Sequence, residues 1–312
     1  MRVVGERLFR IFAVAVVASA GVTVAAAQDD SQRPVFRSSV DLVSVAAVVR
    51  DKQGRVMRSL TRDDFQLVDA GERRPLISFE SDATAPMSVT FLVDGSGSMM
   101  GATNAIRHVL ELFLGQLTPA RDEAALMSFD TRLLTLRTHT KDLDFIRRGI
   151  GQIDAFGASS IYDAIAGTAG IVADRTGMRR AIVAITDGTD TASTYTSYQV
   201  ASIASAIDVP VYVFAVGEDV TSGVASARRE RAWAATTALA ELAQSTGGEL
   251  FYAGTRETQD AAVARVIDEL RHQYLLAFEP SDAGGLRRIQ VLTHNTALRV
   301  QARRWYATAS SE

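Results

Sequence analysis

The chain has 312 residues, of which 47% are hydrophobic and 22% charged, and this is the composition of a folded globular protein. Its formal net charge of −3 gives no electrostatic support for a nucleic-acid partner. The absence of cysteine excludes disulfides, thiolate nucleophiles, cysteine-ligated zinc and a lipid-modified N-terminal cysteine.

The first residues have the pattern of a secretory signal. Three arginines precede an apolar run over residues 11–24, which is short for a membrane span. The small residues Ala25-Ala26-Ala27 then predict cleavage directly after them. We therefore expect a signal peptide at residues 1–27, a flexible leader at 28–35, and an exported protein that is periplasmic or extracellular. An uncleaved N-terminal anchor is the alternative, and no membrane span is expected in the mature chain.

Residues 36–80 have the pattern of short strands. Valines and leucines alternate in part over residues 40–49, and two further apolar runs lie at residues 65–68 and 76–79. Two turn sequences, Asp51-Lys52-Gln53-Gly54 and Asp69-Ala70-Gly71-Glu72, separate these runs. The segment is therefore predicted to form a small β-rich, sandwich-like module, followed by a linker.

From residue 87 onwards the pattern changes to alternating strands and helices. Continuous apolar runs at residues 88–93 and 181–186 are typical of strands that are covered on both faces. Residues 105–117 repeat apolar side chains at helical spacing. The other predicted elements are strands at residues 124–129, 133–136, 209–216 and 249–252 and helices at residues 143–153, 161–173, 197–207, 232–244 and 261–274. This alternation predicts an α/β domain over residues 86–274, with a doubly wound, mainly parallel sheet and helices on both faces.

Residues 275–306 return to a strand pattern. The strand candidates lie at residues 275–278, 288–292 and 298–302. We expect this C-terminal segment to pack with the N-terminal module, so that small β-rich segments from both ends of the chain flank the α/β domain. Residues 217–231, between a predicted strand and a predicted helix, are expected to form an exposed loop.

Oxygen-bearing side chains follow the predicted strands at the points where those strands end. The strand at residues 88–93 runs into Asp94-Gly95-Ser96-Gly97-Ser98, whose glycines permit a tight turn. Because ligands bind at the carboxyl ends of strands in a doubly wound sheet, a later strand end and a loop can add two further oxygen donors. Carboxylates and hydroxyls suit Mg²⁺, with Mn²⁺ or Ca²⁺ as alternatives, rather than zinc. The candidate metal ligands are Asp94, Ser96, Ser98, Ser159 and Asp187.

The order of these residues resembles the metal-ion-dependent adhesion site (MIDAS) of the von Willebrand factor A family. That site has the form Asp-x-Ser-x-Ser, then a Thr, then an Asp after a buried strand. The Asp94–Ser98 segment matches the first element and Asp187 the last, whereas Ser159 stands where the family has Thr. Further segments are similar to a bacterial, acidobacterial-type family of exported VWFA-related proteins. These segments are residues 40–43, 49–54, 60–65, 274–280, 287–289 and 298–300.

The resemblance implies a protein-binding module without enzymatic activity, in which an Asp or Glu carboxylate of a partner protein completes the coordination of the metal. Two other functions stay open. One is a metal-assisted hydrolase in which the same ion polarises a substrate and activates water. The other is a structural or assembly role in the cell envelope. A hydrolase needs a general base near the metal, and Asp130 and Asp190 are the candidates; either could instead accept a hydrogen bond from a metal-bound water.

Overall fold

The structure is a computed structural model that describes residues 42–206, 208–216, 226–281 and 284–308. The chain divides into two units, Met1–Ser39 and Val40–Glu312, and all described residues belong to the second unit. The predicted signal peptide and leader lie outside the described residues, as do residues 217–225 of the predicted loop. Residues 226–231 belong to a helix, so the expectation of a loop is wrong for that part.

The second unit contains fourteen described strands and six described α-helices in the following order. The strands are β1 (Val43–Arg50), β2 (Phe65–Asp69), β3 (Glu72–Arg74), β4 (Leu76–Glu80), β5 (Met87–Asp94), β6 (Glu123–Phe129), β7 (Leu133–Thr140), β8 (Arg179–Thr186), β9 (Val211–Ala215), β10 (Leu250–Tyr252), β11 (Tyr274–Phe278), β12 (Gly285–Thr293), β13 (Arg299–Ala302) and β14 (Trp305–Thr308). The helices are α1 (Thr103–Gln116), α2 (Leu143–Gly149), α3 (Ile161–Ala173), α4 (Ser197–Ala206), α5 (Ser226–Ser245) and α6 (Arg256–Arg271).

A six-stranded sheet forms the centre of the unit, in the order β10-β9-β8-β5-β6-β7. All neighbouring strands are parallel except β7, which pairs with β6 in the antiparallel sense. Helices α1, α2 and α6 pack on one face through Phe91 and Phe214, and α3, α4 and α5 pack on the other through Leu92 and Val213. The expected fold class, a doubly wound, mainly parallel sheet with helices on both faces, is confirmed.

Two four-stranded antiparallel sheets combine strands from both ends of the chain. Their orders are β13-β1-β11-β4 and β14-β12-β2-β3. In the first sheet, strands that precede the central sheet alternate with strands that follow it, and in the second, two strands that follow it lie beside two that precede it. Phe65, Phe79 and Tyr274 form an aromatic cluster between these sheets. Each of these sheets contains two strands from each end of the chain, and the pairs β1–β11 and β2–β12 join the two ends.

Several predicted elements have different boundaries in the structure, among them one turn and one helix. The turn predicted at residues 69–72 is a hairpin in which Asp69 pairs with Glu72, and only Ala70 and Gly71, both with positive φ, form the loop. The helix predicted at residues 261–274 is α6, which begins earlier because the Thr255 side chain accepts the backbone N–H of Thr258 and caps it. Its predicted last residue, Tyr274, is instead the first residue of β11. Among the described residues, none of the helices is long and apolar enough to cross a bilayer.

Candidate metal centre

The carboxyl ends of β5 and β8 place two polar side chains against each other. The strands pair in parallel with Val93 beside Ile185, so Asp94 and Thr186 follow at the same edge of the sheet. The Asp94 side chain is fully buried, and the Thr186 hydroxyl donates a hydrogen bond of 2.6 Å to Asp94 Oδ2. Thr186 therefore fixes this carboxylate. The sequence prediction missed it because a β-branched residue at the end of an apolar strand is normally part of the packing.

The Asp94–Ser98 segment turns sharply around the Asp94 carboxylate. The Ser96 backbone N–H donates to Asp94 Oδ1 at 2.8 Å, and the hydroxyl oxygens of Ser96 and Ser98 are 3.0 Å apart. Gly95 has no room for a side chain, because a Cβ atom there would lie 2.8 Å from the Asp154 carbonyl oxygen. The turn thus brings one carboxylate and two hydroxyls to the end of β5.

A second loop, residues 154–160, is hydrogen-bonded to the first and supplies the fourth candidate ligand. The backbone N–H of Phe156 donates to the Gly95 carbonyl at 2.6 Å, and the Gly97 N–H donates to the Gly157 carbonyl at 3.0 Å. These bonds position Ser159, whose hydroxyl donates to Asp94 Oδ2 at 3.1 Å. A side chain 65 residues distant in sequence therefore contacts the same carboxylate as Thr186.

Asp187, the fifth candidate, directly follows Thr186 and is half-buried. Its Oδ1 accepts the backbone N–H of Thr189 at 2.8 Å, which holds the carboxylate in the turn after β8. Burial raises the pKa of Asp94, and the negative charge of Asp187 raises it further, against the hydrogen bonds from Thr186 and Ser96. Asp94 is therefore a poorly solvated carboxylate with a second carboxylate nearby, and a cation at this edge would stabilise its ionised form.

Asp130 and Asp190, the two predicted outer partners of the metal, make other hydrogen bonds. Asp190 Oδ1 accepts the backbone N–H of Ile161, at the start of α3, at 3.0 Å and the Ser193 hydroxyl at 2.5 Å. Asp130 Oδ1 accepts the Arg132 N–H at 2.7 Å. The described hydrogen bonds of these two carboxylates do not include the five candidate ligands. Their place beside a metal-bound water stays a prediction.

Hydrogen bonds from the neighbouring loop at residues 190–195 hold the backbone around Ser159 in place. The Thr191 hydroxyl accepts the Ser159 backbone N–H at 2.9 Å, and the Ser159 carbonyl accepts the backbone N–H of Thr191 at 2.8 Å. Asp163, in the first turn of α3, accepts the N–H groups of Thr194 and Tyr195. The sequence prediction did not identify this support, because it depends on side-chain to backbone bonds between loops about 30 residues apart.

The five candidate ligands have the donor atoms that a hard cation prefers. It consists of two carboxylates and three hydroxyls, all oxygen, and the buried Asp94 accepts only hydrogen bonds from neutral groups. Groups of three or more His, Cys, Asp or Glu side chains that could hold a metal are absent from the described residues.

Residues 89–189 match the family model described as the von Willebrand factor type A domain. The chain contains a von Willebrand factor type A domain. The matched stretch begins in β5, ends in the loop after β8, and includes all five candidate ligands. No curated protein matches the chain.

Several solved structures resemble the chain at low sequence identity. The conserved hypothetical protein BatB from Bacteroides thetaiotaomicron has 17% identity and a TM-score of 0.48, over 59% of this chain and 98% of that one. A von Willebrand factor type A protein from Catenulispora acidiphila has 10% identity and a TM-score of 0.49, over 87% of this chain and 76% of that one. The corresponding domain of the type V pili tip protein Mfa5 from Porphyromonas gingivalis has 23% identity and a TM-score of 0.31, over 35% and 40% of the two chains.

Proposed function

We propose that this protein is an exported, metal-dependent protein-binding module of the cell envelope or cell exterior. A divalent cation, Mg²⁺ in the first instance, is held by Asp94, Ser96, Ser98, Ser159 and Asp187, and the binding partner is a protein that offers an Asp or Glu carboxylate. The main support is the buried Asp94 carboxylate, which hydroxyls from two other segments of the chain contact directly. The MIDAS resemblance and the matched domain agree with this assignment.

The chemistry of the donors explains why an acidic partner group is expected. Three of the five donors are neutral hydroxyls, so the protein supplies only two negative charges from Asp94 and Asp187. When bound, a hard cation with such a set supplies an electrophilic position for a further oxygen ligand. The chain's own contribution is orientation, because Thr186 and the backbone of Ser96 hold Asp94 in one position.

A metal-assisted hydrolase has less support from the site. Its general base would be Asp130 or Asp190, and the described hydrogen bonds of these carboxylates are to backbone N–H and hydroxyl groups outside the five candidate ligands. A base needs a free oxygen directed at the attacking water. We therefore prefer the protein-binding role to the hydrolase. A structural or envelope-assembly role differs from the protein-binding role in that partner binding would not require the metal.

Titration calorimetry of the purified chain with Mg²⁺ tests the metal site. One ion is expected to bind, and Asp94→Ala or Ser159→Ala should abolish or strongly weaken the binding. Asp144→Ala is the matched control, since Asp144 is an exposed carboxylate in the first turn of α2. No Mg²⁺ or Mn²⁺ uptake by the folded chain would refute the proposal.

Partner capture from envelope extract in Mg²⁺ and in chelator tests the interaction. The proposal expects a partner retained only in Mg²⁺, lost with Asp187→Ala, and lost when one acidic residue of that partner is changed to its amide. Equal retention in chelator would favour the structural role. Turnover of phosphate or peptide substrates that disappears in Asp187→Ala would favour the hydrolase.

A further inference from the structure

The two most exposed large hydrophobic side chains of the described residues both lie in segments that form the candidate metal centre. Phe156 is 81% exposed and Met100 is 71% exposed. Phe156 lies in the loop whose backbone is bonded to Gly95, and Met100 follows Ser98 by two residues in the turn that leads into α1. We refer to these two side chains as the apolar rim.

Exposure of this degree is unfavourable unless another surface covers the side chains. A single exposed apolar residue is ordinary, but two in the segments that form the same polar site indicate a contact surface. The position of Phe156 is fixed, because its N–H donates to the Gly95 carbonyl at 2.6 Å and the following residue, Gly157, accepts the N–H of Gly97. The aromatic ring is therefore presented from a backbone held against the metal-binding turn.

The charges around the candidate metal centre restrict which partner segments could bind next to Phe156 and Met100. Carboxylates at Asp130, Asp154 and Asp187 lie in the loops that carry or contact the Asp94–Ser98 turn, with Arg132 beside the first of them. A partner segment with several acidic residues would be repelled by these carboxylates, whereas one carboxylate would be directed to the cation. A segment that also has apolar neighbours would remove Phe156 and Met100 from water.

We infer that the partner segment presents one acidic side chain flanked by apolar or aromatic residues, and that Phe156 and Met100 bind those flanking residues. This inference rests on the proposed metal-dependent function and names the chemistry of its ligand. Large apolar side chains that become buried at the centre of an interface commonly dominate its affinity, while the charged contact sets its position.

Binding of fluorescein-labelled synthetic peptides, measured by anisotropy in Mg²⁺ and in chelator, tests the inference. Each peptide carries a central Glu, and the flanking residues are Leu and Phe in the first, Ser in the second and Asp in the third. The expected order of affinity is apolar, then Ser, then Asp, and replacing the Glu by Gln should abolish binding of the apolar peptide. Binding of all peptides with equal affinity would overturn the inference.

The double variant Phe156→Ser/Met100→Ser tests whether the apolar rim causes the preference for the peptide with apolar flanking residues. It should bind the apolar peptide at least about tenfold more weakly, the size expected when a buried anchor is lost, and should bind the Ser-flanked peptide unchanged. The matched control is Leu292→Ser/Ile77→Ser, which removes two exposed apolar side chains from β12 and β4. Equal loss in both double variants, or no loss in the first, contradicts the inference.

The same experiment separates this inference from the proposed function. Mg²⁺-dependent binding that requires Asp94 but ignores the rim variant refutes only the inference. If no peptide shows Mg²⁺-dependent binding, the inference fails, whereas the proposed function fails only if the chain takes up no Mg²⁺ or Mn²⁺ or retains its partner equally in chelator. Calorimetric titration of the rim variant with Mg²⁺ should give the wild-type affinity, which shows that the substitutions leave the metal centre and the fold intact.

Discussion

Replacement of Thr186 by Val tests whether its hydroxyl holds the buried carboxylate. Valine keeps the shape of the side chain but removes two hydrogen bonds, the 2.6 Å bond donated to Asp94 and the 3.0 Å bond accepted from the Gly188 N–H. A bond to a charged group is worth about 1.5–3 kcal/mol and a neutral one about 0.5–1.5 kcal/mol. The free energy of unfolding in chelator should therefore fall by about 2–4.5 kcal/mol.

Urea denaturation followed by circular dichroism measures this loss as a shift of the midpoint at constant slope. Thr186→Ser is the control, since it keeps the hydroxyl and should retain most of the stability. In calorimetry, Thr186→Val should also bind Mg²⁺ about 10- to 100-fold more weakly, because it loosens a ligand that the metal needs in one orientation. A loss below about 0.5 kcal/mol, or an equal loss in Thr186→Ser, would refute the reasoning.

Three further changes test other parts of the fold. Burial would raise the pKa of Asp69, but hydrogen bonds that include those from Arg287 outweigh it and lower this pKa. The ionised Asp69 therefore stabilises the fold above the ordinary Asp pKa, and this stabilisation is lost as pH falls through the lowered value. As the pH is lowered from neutral to acid, the urea midpoint should fall less steeply for Asp69→Asn than for the wild type. Glu269→Ala removes the fully buried partner of the partly buried Arg50, which keeps its ion pair with Glu249, and should cost about 1.5–3 kcal/mol in urea unfolding. A loss within error of an exposed Glu→Ala change would contradict this. Gly95→Ala places a Cβ against a backbone carbonyl and should destabilise the chain by about 1–3 kcal/mol in the same assay, whereas a neutral result would mean that the turn can relax.

The central sheet could be predicted from the sequence because its strands carry a distinct signal. Strands β5 and β8 are continuous apolar runs, and α3 occupies the predicted residues. The pairing of β7 was not predictable in the same way, because β7 is a partly exposed edge strand with arginine, threonine and histidine in its second half. Its antiparallel direction follows from the short turn after β6, which leaves no room for a crossover helix.

The candidate site was predictable only where its residues follow strand ends in a recognisable order. Asp94 and Asp187 stand directly at or after apolar strands, so the sequence alone places them at one edge of the sheet. The supporting bonds from Thr186 and Thr191 depend on the register between β5 and β8 and on the path of two loops. Such contacts join distant parts of the chain, and no periodicity in the sequence records them.

The contacts of the flanking sheets lie at the opposite edge of the central sheet from the candidate metal ligands. Arg303 of the C-terminal segment donates to the Ser205 carbonyl, at the end of α4, and lies 3.2 Å from Asp208, which precedes β9. Arg50 of β1 pairs with Glu249, directly before β10. Asp208 and Glu249 stand where parallel strands of the central sheet begin, whereas Asp94 and Asp187 stand where such strands end.

Because of this separation, the two regions should respond differently to substitution. A change in the Arg303 or Arg50 contacts removes a buried ionic interaction between the flanking sheets and the central domain, so it should lower the free energy of unfolding and leave Mg²⁺ affinity unchanged. A change at the carboxyl edge, such as Phe156→Ser, should alter binding with little effect on stability, since that side chain is exposed. The flanking sheets thus stabilise the α/β domain from one end of its strands, and these contacts of their described residues lie away from the end that carries Asp94 and Asp187.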